Sequence, residues 1–283
     1  MKTVAVIGAG TMGRGIAQVS ALAGYGVILY DVAAEFLESA LAEIQTSIDK
    51  GVARGKTAES TATIAKAALT LTTSLETAAT ADLVIEAAPE KLQLKREIFN
   101  TLDAHSGDHT ILASNTSSLS INAIAGATQR PNRVIGLHFF NPAHIMKLVE
   151  VVRGDFTSGK TVEECLAYVD TVGKTAVLCK DTPAFIVNRV ARPFYGEALR
   201  LLGEGAADVT TIDKLLKSLG FRMGPFELID LIGCDVNFAV TQSVYEAYFH
   251  DPKYRPHPIQ KRMVEGGRIG RKAGIGFYDY RSD

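Results

Sequence analysis

Two hydrophobic periods alternate along the first 180 residues. Thr3–Ile7 is a short apolar run closed by glycine, the pattern of a buried strand. Residues 11–23 place Met12, Ile16, Val19 and Ala23 on one helical face, and Gly24-Tyr25-Gly26 ends that helix. The alternation continues with a strand at 27–30, helices at 33–54 and 58–67, a strand at 83–87, a charged helix at 91–104 and a strand at 110–113. Strands at 133–138, 147–152 and 175–178 follow, with a helix at 159–172 between the last two. Strands interleaved with helices predict an α/β fold with a mostly parallel sheet covered on both faces.

After Pro183 the texture changes to helix periodicity, with no convincing strand as far as Gly267. Helices are predicted at 185–202, kinked by Pro193, and at 208–219 and 226–249. A domain boundary is expected near 181–184, giving an α/β domain over 1–183 and an all-α domain over 184–283.

Composition narrows the class. With 283 residues, 47% hydrophobic and 22% charged, the chain reads as globular, with about two domains. A net charge of −1 gives no overall basic field for nucleic acid or an anionic membrane. Cys165, Cys179 and Cys234 lie far apart, which argues against a disulfide framework and a structural zinc site. No apolar run approaches the ~18 residues of a spanning helix. The apolar stretch after Met1-Lys2 is broken by Gly8, Gly10 and Gly13 and ended by Arg14, so it reads as strand and turn, not leader. A cytoplasmic protein is expected.

Gly8-Ala9-Gly10-Thr11-Met12-Gly13 matches GxGxxG between a predicted strand and a predicted helix, the context a dinucleotide site needs. Gly8 permits the tight turn, Gly10 lets backbone approach a pyrophosphate, and Gly13 allows close packing of helix on strand. The helix N-terminus then offers free N–H groups to phosphate. Asp31, 23 residues after Gly8, ends the next strand. Its carboxylate suits ribose hydroxyls and repels a 2′-phosphate, which favours NAD over NADP.

Ser114-Asn115-Thr116-Ser117-Ser118 follows a strand where ligands bind in open α/β sheets; it reads equally as a helix cap and as a ligand site. His138-Phe139-Phe140-Asn141-Pro142 ends another strand, and Glu150 sits among apolar neighbours in Lys147–Val152. A buried carboxylate needs a partner, and His138 is the natural one. Such a pair is suited to removing a hydroxyl proton. His105 and His109 are separated by Gly107 and do not form a helical metal pair, so no metal site is expected.

The chain resembles the L-3-hydroxyacyl-CoA dehydrogenase family, and within it the short bacterial 3-hydroxybutyryl-CoA dehydrogenases. The resemblance rests on Gly8–Gly13, Ile85–Glu90, Ser114–Ser118, Gly136–Asn141 with Lys147–Val151, Asp181–Arg189, Gly224–Leu228 and Gly270–Tyr278. It implies a Rossmann-like domain, a helical domain that dimerises, and a substrate cleft between them. It implies NAD as cofactor and an acyl-CoA substrate. His138 matches the catalytic base, Glu150 its orienting carboxylate, and Ser117 and Asn188 the groups around the reacting oxygen. Glu90, Lys95 and Asn115 match cofactor contacts, along with Gly8, Gly10, Thr11, Met12, Gly13 and Asp31. Asn141 matches the substrate pocket. Lys50 and Arg54 match contacts to CoA phosphates, or else form an exposed basic face. His144 departs from the family, whose members more often carry an apolar residue or proline there.

The reaction implied is reversible hydride transfer between NAD and C3 of a short 3-hydroxyacyl-CoA such as 3-hydroxybutyryl-CoA. A same-fold dehydrogenase of 3-hydroxyadipyl-CoA, or of a free hydroxy or sugar acid, is the alternative. A non-enzymatic dinucleotide-binding relative is disfavoured by the presence of both His138 and Glu150.

Overall fold

Thr3–Ile7 forms the central strand, and its Val4, Ala5 and Val6 are wholly buried, as a strand covered on both faces requires. The computed structural model describes residues 1–281. Its contacts divide the chain into one unit of Met1–Thr182 and a second from Pro183 onward.

In chain order the first unit contains β1 (Thr3–Ile7), α1 (Thr11–Leu22), β2 (Gly26–Tyr30), α2 (Ala34–Ala53), α3 (Glu59–Ala67), β3 (Leu69–Thr72), α4 (Leu75–Ala78) and β4 (Leu83–Glu86). It continues with α5 (Leu92–His105), β5 (Ile111–Ser114), α6 (Ile121–Ala125), β6 (Val134–Phe139), β7 (Leu148–Arg153), α7 (Gly159–Thr171) and β8 (Thr175–Lys180). The eight strands lie in the order β3-β2-β1-β4-β5-β6-β7-β8. Neighbours run parallel except β6 and β7, which are antiparallel. The mostly parallel, Rossmann-like sheet expected from the alternation is present. Chain order reverses between β1 and β4, the switch point at which doubly wound sheets open a crevice.

One strand escaped the hydrophobic pattern. Leu69-Thr70-Leu71-Thr72 is four residues long, only partly buried, and follows an alanine-rich helical run. Its pairing with β2, from Val27↔Leu69 to Tyr30↔Thr72, makes it a strand.

The second unit is helical: α8 (Val187–Gly203), α9 (Val209–Ser218), α10 (Pro225–Ile232), α11 (Cys234–Ala247) and α12 (Pro258–Glu265). The single helix expected over 226–249 is two, because Gly233 adopts φ +102° and turns the chain between α10 and α11. α8 runs through Pro193. Tyr195, Leu199, Ile212, Phe226, Ile229 and Cys234 form its core.

Two buried aspartates organise this unit. Asp230 accepts from the Phe277 and Tyr278 N–H groups, both at 2.9 Å, and from the Tyr280 hydroxyl at 3.1 Å. Asp213 accepts from Phe226 N, Glu227 N and the Tyr278 hydroxyl. A Cβ at Gly224 would overlap Asp213, and one at Gly270 or Gly276 would overlap Asp230. Both glycine-containing C-terminal motifs are thus the close-packed partners of these carboxylates. No helix among the described residues is long and apolar enough to cross a membrane.

Candidate active site

The glycine loop leaves β1 at the switch point. Gly8 adopts φ +105°, and its N–H donates to the Tyr30 carbonyl at 2.8 Å. A Cβ there would lie 2.9 Å from the Ala87 carbonyl oxygen. Gly13 faces the loop itself: an added Cβ would overlap the Gly8 carbonyl oxygen, with Val6 next at 3.4 Å. Its small size therefore serves loop-on-helix packing before helix-on-strand packing. Gly10 differs from both, since nothing lies within 4 Å of its Cβ position. No side chain caps α1, so its first N–H groups open onto the space beside Gly10. Thr11 is exposed there, whereas Met12 packs partly into the core. Open backbone, an uncapped helix start and a carboxylate at the end of β2 fit a dinucleotide. That carboxylate, Asp31, accepts from Ala9 N at 2.7 Å and Val32 N at 2.8 Å, which ties β2 to the loop.

A second polar cluster lines the ends of β4 and β5. Glu86 is fully buried and accepts from Lys95 Nζ, Ala88 N and Ser114 Oγ, each at 2.6 Å. Lys95 is 1% exposed and also lies 3.3 Å from Glu90 Oε2. The other Glu90 oxygen accepts from Thr116 Oγ1 at 2.5 Å and Ser117 N at 2.9 Å. The run 114–118 is thereby fastened to two glutamates. The helix cap sought in that run lies beyond it, at Ser120, whose hydroxyl accepts from Ala123 N. Asn115 braces β6, accepting from Phe139 N at 2.8 Å. Sequence reasoning overlooked Glu86, although a carboxylate closing an otherwise apolar strand, nine residues before a lysine, was a readable signal.

His138 and Glu150 face each other directly across the antiparallel β6–β7 ladder. Nδ1 of His138 lies 2.7 Å from Oε2 of Glu150. The pair is sealed in, at 6% and 0% exposure. A carboxylate at Nδ1 favours the tautomer with hydrogen on Nδ1, which leaves Nε2 as the ring's hydrogen-bond acceptor. The Phe140 ring packs 4.4 Å from the imidazole.

Asn141 and Pro142 lead from this pair into a groove between α1 and α2. One cavity of about 270 Å³ is lined by Thr11, Arg14, Asn141 and His144. It shares Gln18, Glu43, Ser47 and His144 with a larger cleft of about 840 Å³ that also takes in Lys50, Arg54 and Lys56. The groove thus runs from the glycine loop to a basic end, and Ser47 and Lys56 join the two cations foreseen there. Burial, then the charge of Lys174, holds His144 below its ordinary pKa. Burial also pushes the thiols of Cys179 and Cys234 up to about 12, so both stay protonated. Asn188 lies in the first turn of α8, in the second unit.

Residues 3–182 match the 3-hydroxyacyl-CoA dehydrogenase NAD-binding domain, and residues 185–280 match the 3-hydroxyacyl-CoA dehydrogenase C-terminal domain. The chain belongs to the 3-hydroxyacyl-CoA dehydrogenase family. It is 49% identical to the 3-hydroxyadipyl-CoA dehydrogenase of Escherichia coli K12 over 100% of its own length, but spans only 60% of that protein. It is 45% identical to the 3-hydroxybutyryl-CoA dehydrogenase of Bradyrhizobium diazoefficiens, covering 99% of this chain and 96% of that one. The crystal structure of (S)-3-hydroxybutyryl-CoA dehydrogenase from Ralstonia eutropha superposes with a TM-score of 0.95, at 40% identity over 99% of each chain. As a 3-hydroxyacyl-CoA dehydrogenase family member, the chain carries an NAD-binding first unit.

Proposed function

We propose that this protein catalyses the reversible NAD-linked oxidation of short 3-hydroxyacyl-CoA thioesters at C3, with 3-hydroxybutyryl-CoA and acetoacetyl-CoA as the simplest pair. The buried His138–Glu150 pair carries this reading. Nε2 of His138 takes the proton of the C3 hydroxyl, and Glu150 holds Nδ1–H and stabilises the imidazolium that forms. When bound, NAD supplies the hydride acceptor. In the reverse direction the imidazolium returns its proton to the C3 oxygen. Ser117 and Asn188 donate hydrogen bonds to that oxygen, where charge builds in the transition state.

Gly8–Gly13 and Asp31 hold the dinucleotide's phosphates and ribose, with Glu90, Lys95 and Asn115 ordering the β4 and β5 ends beneath it. Lys50 and Arg54 meet the CoA phosphates at the basic end of the groove; among the described residues neither is paired with a carboxylate. Asn141 lines the passage between these ends. A homodimer through the helical unit belongs to the same reading, supported by Val190, Leu219 and Phe249, which stand 70%, 69% and 94% exposed.

The test is loss of reduced cofactor with acetoacetyl-CoA, with NADH and NADPH in parallel. Turnover with NADH is expected. Turnover with NADPH alone would overturn the role of Asp31, and none with either cofactor would overturn the reaction.

A further inference from the structure

Of the run Asp181–Arg189, the proposed reaction uses only Asn188. Asp181 opens the run just after β8 and lies within the first unit. Its N–H donates to the Arg153 carbonyl at 2.9 Å, which fixes it to the end of β7. Its Oδ2 accepts from Ser120 Oγ and from Asn122 N, both at 2.8 Å. Ser120 is the N-cap of α6, and its hydroxyl oxygen accepts in turn from Ala123 N at 3.2 Å. Donating to Asp181 aims the serine's lone pairs at Ala123 N, while Asp181 itself satisfies the free N–H of Asn122. The carboxylate thus completes a cap that the serine alone leaves half made.

With five residues, α6 is too short to hold its own place. Its position comes from these anchors and from two glycines beneath it. A Cβ at Gly136 would lie 2.9 Å from Ile121 Cδ1, and one at Gly154 would lie 2.9 Å from Asn122 Oδ1. Neither glycine has a positive φ, so each serves by leaving room. Asn122 Nδ2 also donates to Asp155 Oδ2 at 2.9 Å, and Asp155 N donates to Asn122 Oδ1 at 2.7 Å. Gly136 and His138, two residues apart on β6, share a face and lie about 7 Å from each other. The start of α6 therefore rests on the sheet beside the proposed base.

The turn that carries Ser117 runs straight into this start. Thr116 Oγ1 accepts from Leu119 N at 2.9 Å, and Glu90 accepts from Thr116 Oγ1 and Ser117 N. Glu90 fastens the turn at its beginning, and Asp181 fastens it at Ser120, one residue past Leu119. We propose that Asp181 is a positioning residue for the reaction. It sets the start of α6, and through it the place of the Ser117 hydroxyl relative to His138. This rests on the proposed role of Ser117 at the C3 oxygen.

The experiment measures kcat and KM of the full chain with NADH and acetoacetyl-CoA. Asp181→Ala and Asp181→Asn are each made alone and together with Ser117→Ala. Asp181→Asn keeps an oxygen that can accept both bonds, so its kcat is expected within about threefold of native. Asp181→Ala is expected to lose about 10–100-fold in kcat, the scale of a small misplacement at a reacting centre, with KM for NADH nearly unchanged. In the Ser117→Ala background the same change is expected to cost less than about threefold, because the hydroxyl it positions is gone. A general loosening of the fold would cost the same in both backgrounds. Ser120→Ala removes one donor and leaves the aspartate in place; if Asp181→Ala does not fold, it is read in the same two backgrounds with the same expected pattern. Native kcat in Asp181→Ala, an asparagine variant no better than the alanine one, or an equal loss with and without Ser117 overturns the proposal. A loss in Ser117→Ala with none in Asp181→Ala overturns this inference alone. Native kcat in Ser117→Ala overturns the proposed role of Ser117 as well.

Discussion

Lys95 and Glu86 form an ion pair sealed from solvent: Nζ lies 2.6 Å from Oε1, and the side chains are 1% and 0% exposed. The same glutamate holds Ser114, and the same lysine reaches Glu90, which holds Ser117 N. Position is thus passed from the buried end of β4 to the serine proposed to touch substrate. Glu86→Gln leaves a buried ammonium with one half-exposed counter-charge. Removing one partner of a buried pair costs roughly 3–5 kcal/mol. Urea unfolding is expected to show a loss of that order, with a raised KM for NADH. An unchanged urea midpoint would mean the pair is not holding this edge.

Gly10 and Gly13 differ in what surrounds them, so their alanine variants are expected to fail differently. Nothing lies near the Cβ position of Gly10, whereas a Cβ at Gly13 would overlap the Gly8 carbonyl oxygen. Gly10→Ala is expected to keep the native melting temperature and raise Kd for NADH at least about 10-fold, because the new methyl would stand where we propose that the pyrophosphate approaches. Gly13→Ala must displace backbone, and overpacking of this kind costs about 3 kcal/mol. Calorimetry and NADH titration together separate the two. Equal destabilisation of both variants would contradict the open space at Gly10.

Asp31 works on both sides of the loop. Its Oδ2 accepts from Ala9 N, and the same carboxylate is the proposed partner of the ribose. Asp31→Ser removes the charge that repels a 2′-phosphate. The NADPH:NADH ratio of kcat/KM is expected to rise about 10-fold or more, equivalent to 1.4 kcal/mol of discrimination. A ratio that stays put would assign cofactor choice elsewhere in the crevice.

Much of this was readable from residue order because the informative features are local. The glycine loop, the strand before it and Asp31 lie within one strand–helix–strand unit. His138 and Glu150 lie twelve residues apart on consecutive strands. Features set by distant pairing were not readable. β3 is a strand only because β2 lies beside it. The Glu86–Lys95–Glu90 chain depends on how α5 lies against the ends of β4 and β5. The split at Gly233 had a local cue, glycine inside a helical pattern, but the required φ of +102° is not encoded by hydrophobic spacing. α12 carried a stronger cue that was passed over: Pro258 at its first turn, with His257 capping and Gln260 reaching back.

That cap predicts a pH response. His257 Nδ1 accepts from Ile259 N, so the cap needs the neutral ring. Burial, followed by the charges of Arg200 and Arg262, holds the histidine below its ordinary value in the folded state. Protons therefore bind the unfolded chain more readily, and the cap's contribution is complete above the unfolded pKa near 6.5. It is lost as the pH falls from there through the folded value. His257→Asn supplies a cap that does not titrate. Urea midpoints between pH 7 and 5 are expected to fall less steeply in the variant than in the native protein. Parallel slopes would remove His257 from the account.

The proposed catalytic pair gives a two-variant test in which geometry and charge separate. His138→Ala deletes the base, and the loss in kcat is expected at about 10²–10⁴, the usual worth of general acid–base help. NADH affinity should survive, since the glycine loop lies between β1 and α1 and Asp31 just after β2, away from His138 on β6. Glu150→Gln keeps an oxygen to accept from Nδ1–H but removes the negative charge that stabilises the imidazolium. Its kcat is expected to fall less than that of His138→Ala and by at least about 10-fold, a barrier change of 1.36 kcal/mol. In the double variant the two losses should not add, because with the imidazole gone Glu150 has no imidazolium to stabilise. Additive losses would mean that Glu150 acts on the reaction by a route other than His138.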